Sequence, residues 1–147
     1  MQYFQTRFLA EADEFIAGLD PKAAKKVLYT IDLAEQTNDP KLFKKLQRDI
    51  WEFRTLYGGK KIRLLAFWDK TDRMETLVFA TNGFIKKVDK VPANEIERAL
   101  KIRANYFKNK PYFALQVKVK VDLLYLLYFD GRFSFSVLYV AYLLFKT

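Results

Sequence analysis

Residues 50–68, IWEFRTLYGGKKIRLLAFW, decide the fold. Two runs rich in aromatic and β-branched residues, 50–57 and 61–68, flank Gly58-Gly59, and runs of this kind joined by a glycine pair read as a β-hairpin. Side chains alternate across a strand, so Glu52 and Arg54 leave on the face opposite Trp51 and Phe53. In the same way Lys61, Arg63, Leu65 and Phe67 oppose Ile62, Leu64, Ala66 and Trp68. One face can pack on helices while the other presents arginines. A third run, 75–81 (ETLVFAT), follows the polar stretch Asp69 to Met74 and extends the hairpin into an antiparallel meander.

Upstream, Phe8, Leu9, Ala12, Phe15, Ile16 and Leu19 recur at helical spacing, with Glu11, Asp13 and Glu14 on the other side, which predicts an amphipathic helix over 8–19. Asp20-Pro21 punctuates it. Ala24, Val27, Leu28, Ile31 and Ala34 make a second apolar stripe to about Gln36, closed by the turn signal Asn38-Asp39-Pro40. Residues 41–48 (KLFKKLQR) read as one or two helical turns leading into the sheet, because Lys41, Lys44, Lys45 and Arg48 share a helical spacing. Beyond the sheet, Pro92 and the Asn94/Glu97 pair mark a helix start with capping-box spacing, followed by Ile96, Ala99, Leu100, Arg103 and Phe107. The expected class is therefore α+β: two N-terminal helices on a twisted antiparallel sheet, then a further helix.

Residues 111–147 read separately, as an apolar C-terminal extension after a domain over 1–110. Val117, Val119 and Val121 alternate with Lys118, Lys120 and Asp122, and Asp130-Gly131 sits between two apolar runs, which predicts a β-hairpin. The rival is a membrane span over 123–145, which would place Asp130 and Arg132 in the hydrocarbon at a few kcal/mol each. The hairpin is the expectation, and a membrane is not the expected partner.

The 147 residues carry 26 Lys and Arg against 17 Asp and Glu, a formal charge of +9, with no His and no Cys. Of these, 18 basic and eight acidic residues fall in 40–110, so the middle of the chain is the electrostatic footprint. Such a surplus favours a polyanionic partner, nucleic acid first. The missing cysteines exclude a disulfide scaffold and a thiol nucleophile, and the missing histidines exclude imidazole acid-base chemistry. The opening residues lack a basic start and apolar run, which with the absent cysteines predicts a cytoplasmic protein.

The candidate site is the set Arg54, Arg63, Lys86 and Lys87 on successive strands, with the two lysines at the end of the third. Neighbouring strands lie about 5 Å apart, so arginines in register can share one phosphate. Cations so placed can also assist cleavage of RNA by its 2′-OH, because the transition state carries more charge on the non-bridging oxygens than the ground state does. That route needs no metal or cofactor. Lys44, Lys45, Arg48, Lys61 and Asn82 are the candidate RNA contacts around it. Against this stand the plain readings of a solvated lysine pair and of strand arginines paired with Glu52.

The run DIWEFRTLYGGKKIRLLAFW (49–68), with TLVFATNGFIKKVDKVPANEIERA (76–99), resembles the RelE/ParE superfamily of type II toxins, in its HigB-like, phage-derived branch. The resemblance covers about residues 1–110. It implies a ribosome-dependent mRNA endoribonuclease held inactive by a cognate antitoxin. It makes Arg54 and Arg63 the ligands of the phosphate and transition state, and Lys86 and Lys87 a phosphate clamp and proton-transfer pair. Asn82 stands where the family commonly has a histidine, so a catalytically weakened relative that binds RNA and antitoxin is a second expectation. An inhibitor of DNA gyrase, as in the ParE branch, is a third.

Overall fold

The computed structural model describes residues 1–71 and 77–110. The chain divides into two units, Met1–Ala104 and Asn105–Thr147. Of the second, residues 105–110 are described and are helical, with the Tyr106 and Phe107 rings edge to face. The expected hairpin over 111–147 and its rival membrane span lie outside the described residues. Among those described, no helix is long and apolar enough to cross a membrane.

The first unit is a five-stranded sheet carrying helices. Its elements are β1 (Gln5–Phe8), α1 (Ala10–Ala17), α2 (Pro21–Thr37), β2 (Phe43–Gln47), β3 (Ile50–Tyr57), β4 (Lys60–Asp69), β5 (Leu77–Lys86) and α3, over residues 93–104. The strand order is β1-β5-β4-β3-β2. The expected hairpin is present: β3 and β4 pair antiparallel from Trp51↔Ala66 to Tyr57↔Lys60 around Gly58 and Gly59, whose φ of 56° and 73° suit the tight two-residue turn that glycine favours.

Four expectations need correction. The sheet is mixed, because residues 5–8 form a strand parallel to β5 where a helix start at Phe8 was expected. Tyr3 N–H donates to the Glu35 carbonyl and Thr6 N–H to its carboxylate, so this short strand is fixed by α2 as well as by β5. Residues 43–47 form a strand as well, antiparallel to β3, where helical turns were expected. The Phe43 ring stacks on Phe53 at 4.4 Å and Trp51 at 5.0 Å, and this cross-strand packing overrides the helical spacing of the lysines. The third strand of the meander runs on to Lys86, past a bulge at Thr81 and Asn82 opposite Leu65. The Asn94/Glu97 cap is not made: α3 opens with the Glu95 and Ile96 N–H groups on the Pro92 carbonyl, and Glu97 pairs with Arg48.

α1 and α2 cover one face of the sheet. Asp20 caps α2 by accepting from the Lys22 and Ala23 N–H groups, with Pro21 in the first turn, as the sequence predicts. The core beneath holds Val27 and Ile31 from α2 against Phe43, Phe53, Ile62, Leu64, Ala66 and Val78. Phe4 joins Phe43, Phe53 and Trp68 in an aromatic cluster. The opposite face is covered at one end by α3, whose Ile96 and Ala99 are buried and whose Arg103 lies over the Phe67 ring. Leu65 and Phe67 are therefore also buried, so only part of this face remains for the arginines.

Candidate functional site

What α3 leaves open on that face is a pocket of about 380 Å³, walled by β2, β3, the end of β5 and the segment entering α3. Lys44, Arg54, Lys86 and Lys90 bring four cations to it, and Glu52 and Asp89 two carboxylates. The register explains the grouping. Lys44 pairs with Glu52 across β2 and β3, Arg54 pairs with Arg63 across β3 and β4, and Lys61 pairs with Lys86 across β4 and β5. The β2 bulge between Lys45 and Gln47 lets Leu46 and Gln47 both reach the wall.

Arg54 and Arg63 are direct neighbours, as expected, but they differ in access. The Arg54 side chain is 36% exposed and lines the pocket. Arg63 is 6% exposed and lies behind it, with Nη1 donating to the Ile62 carbonyl. Glu52, itself 5% exposed, sits between them: one carboxylate oxygen is 3.6 Å from Arg54 Nε and the other 3.4 Å from Arg63 Nε. Burial pushes the Arg63 guanidinium below its ordinary pKa; Glu52 opposes that shift and Arg54 adds to it.

The other candidates divide. Lys44 and Lys86 stand at the pocket, whereas Lys87 is exposed just past the strand and outside its lining. Lys45 is exposed but pairs with Trp51 and leaves on the opposite face from Lys44. Arg48 sits in the β2–β3 turn at φ 50° and forms an ion pair with Glu97 at 3.2 Å. Lys61 is exposed beside Lys86, outside the lining. Asn82 is 2% exposed; its amide donates to Glu95 Oε2 at 2.9 Å, and its oxygen accepts from Thr81. Sequence reasoning did not select Lys90, although it closes the run Lys86-Lys87-Val88-Asp89-Lys90, nor did it give Glu52 more than a structural part.

A mixed α+β sheet with a pocket where Lys44, Arg54, Lys86 and Lys90 meet Glu52 and Asp89 defines a small basic domain. The chain belongs to the phage-derived Gp49-like protein family (DUF891), whose model matches residues 14–104. Among solved structures it is similar to a double arginine-to-alanine variant of the E. coli toxin RelE in the free state, with 13% identity and a TM-score of 0.50 over 69% of this chain and 97% of that one. It is also similar to a chain of the RelBE2 toxin-antitoxin complex from Mycobacterium tuberculosis, with 19% identity and a TM-score of 0.46 over 58% of this chain and 100% of that one. No curated protein matches the sequence. The fold is that of RelE, in agreement with the α+β expectation.

Proposed function

We propose that this chain is the toxin of a type II toxin-antitoxin pair and that it cleaves mRNA on the ribosome. The observation that carries the reading is the convergence of Lys44, Arg54, Lys86 and Lys90 on one pocket of about 380 Å³. A phosphodiester fits this chemistry. Arg54 offers a planar fork to two phosphate oxygens, and Lys86 supplies a point charge from the next strand but one. In the step itself the RNA 2′-oxygen bonds to the adjacent phosphorus, the bond to the 5′-oxygen breaks, and the proton lost by the 2′-OH is balanced by one gained at the 5′-oxygen. Charge grows on the non-bridging oxygens, where fixed cations stabilise the transition state more than the ground state. Lys87, next along from Lys86, is the proposed proton-transfer partner. Arg63 contributes its charge from behind Arg54. The cognate antitoxin is the proposed protein partner, and the cytoplasm, where ribosomes are, the proposed site of action.

The test is growth arrest and mRNA cleavage with purified ribosomes, comparing the natural chain with Arg54→Ala and Lys86→Ala separately and together. Loss of cleavage by at least about 100-fold in the double variant, comparable to losing one preorganised oxyanion donor, is expected. Undiminished cleavage in the double variant refutes this site, and absence of cleavage by the natural chain refutes the ribonuclease reading.

A second reading, binding of RNA and antitoxin without cleavage, is favoured by the commitment of Asn82 to Glu95. Asn82→His separates the two: a gain of cleavage marks the natural chain as attenuated.

A further inference from the structure

The phosphate contacts proposed above make no use of Glu52, a buried carboxylate on the wall of the pocket. A carboxylate removed from water needs paired charges or hydrogen bonds. Glu52 has two partners, one for each oxygen, and they are unlike. Arg63 is immobilised by burial and by its bond to the Ile62 carbonyl. Arg54 is about one-third exposed, and its Nε is buried without a hydrogen-bond partner among the described residues. Glu52 thus couples a fixed guanidinium to one that is otherwise free to turn.

Resting on the ribonuclease reading, we propose that Glu52 is a positioning residue for RNA cleavage: it holds the Nε edge of Arg54 and keeps the Nη pair of that guanidinium turned into the pocket. A free arginine side chain must give up its rotamer freedom when phosphate binds, and one already held does not. Neither contact has hydrogen-bond geometry, so Arg54 Nε, Arg63 Nε and Glu52 Oε2 are buried without a hydrogen-bond partner among the described residues. Contacts of this kind tighten when a substrate arrives, and a phosphate on the Nη edge would draw the network into register.

The competing account is that Glu52 only neutralises Arg63. A double-mutant cycle on Glu52 and Arg54 separates the two, because a residue acting through Arg54 has no effect once Arg54 is gone. Glu52→Gln is expected to lower the single-turnover rate of mRNA cleavage about 10- to 100-fold with a smaller change in KM. It is expected to cause no further loss in an Arg54→Ala background. The 1H–15N signal of Arg54 Nε, sheltered from exchange in the natural chain, is expected to disappear in Glu52→Gln while the backbone spectrum persists. If Glu52→Gln does not fold, Glu52→Gln with Arg63→Gln exchanges the buried ions for a neutral amide pair, and removing Arg54 from that background is expected to change little. Equal losses in both backgrounds, or a full Arg54→Ala effect in the neutral background, overturn the proposal alone. A natural chain that cleaves no mRNA overturns the ribonuclease reading and this proposal with it.

Discussion

Asn82 donates from Nδ2 to the Glu95 carboxylate at 2.9 Å and to the Glu95 carbonyl at 3.3 Å, so one buried amide fastens the β5 bulge to the first turn of α3. The same helix roofs Leu65 and Phe67 and supplies one side of the pocket through Ala93 and Ile96. Asn82 therefore helps to set the width of the site without facing it.

Asn82→Asp places a second carboxylate against Glu95 in a buried position. A loss of about 3 kcal/mol is expected, seen as a lower urea midpoint with unchanged m-value. Asn82→Ala removes the tie without adding charge and is expected to lose about 1–3 kcal/mol.

Gly83 touches α1. A Cβ there would stand 2.1 Å from Cδ1 of the Phe15 ring, a distance no side chain tolerates. Gly83→Ala is expected to destabilise the domain by about 1–3 kcal/mol, and pairing it with Phe15→Leu is expected to recover part of that loss. Thermal melts of the three variants check both.

Lys44 and Lys90 line the pocket, while Lys45 leaves on the other face and Arg48 is paired with Glu97. Removing Lys44 or Lys90 is expected to reduce the slope of log affinity against log salt for a single-stranded RNA by about 0.7 each, the value for one lost phosphate contact. Lys45→Ala and Arg48→Ala are expected to leave it unchanged. Titrations at four salt concentrations with a 2′-O-methyl RNA oligonucleotide measure this without cleavage.

Phe53 packs its ring against Phe43 at 4.4 Å and against Phe4 at 6.3 Å, at the centre of the aromatic cluster. Phe53→Ala is expected to cost about 3–5 kcal/mol, and near-ultraviolet circular dichroism from Trp51 and Trp68 is expected to fall with it.

Much of this was legible in the residues. The β3–β4 hairpin followed from alternation around Gly58-Gly59, and α2 from its apolar stripe with Asp20-Pro21 ahead of it. The neighbourhood of Arg54 and Arg63 followed from the same alternation, because pleating fixes side-chain direction without reference to anything distant. The misreadings share one cause. Residues 5–8 and 43–47 are short and lie at the two edges of the sheet; the first takes its conformation from β5 and from Glu35, 29 residues beyond Thr6, and the second from pairing with β3 just after it in the chain. The lysines at 41, 44, 45 and 48 have a helical spacing, but the Phe43 ring has a binding site on Phe53, and burial of that ring decides.

The sequence by itself determined that this is a basic α+β domain without imidazole or thiol chemistry, and it put Arg54 and Arg63 on one face of a hairpin. Composition and period-2 alternation are local properties, and they survive any docking of the remaining elements. Only the tertiary structure decided which cations meet. It buried Arg63 behind Glu52, gave Asn82 to Glu95, sent Lys44 and Lys45 to opposite faces and brought Lys90 to the pocket. Those outcomes depend on where α3 closes over the sheet, which long-range packing settles, and on how β2 registers against β3, which cross-strand pairing settles against the helical spacing of its lysines.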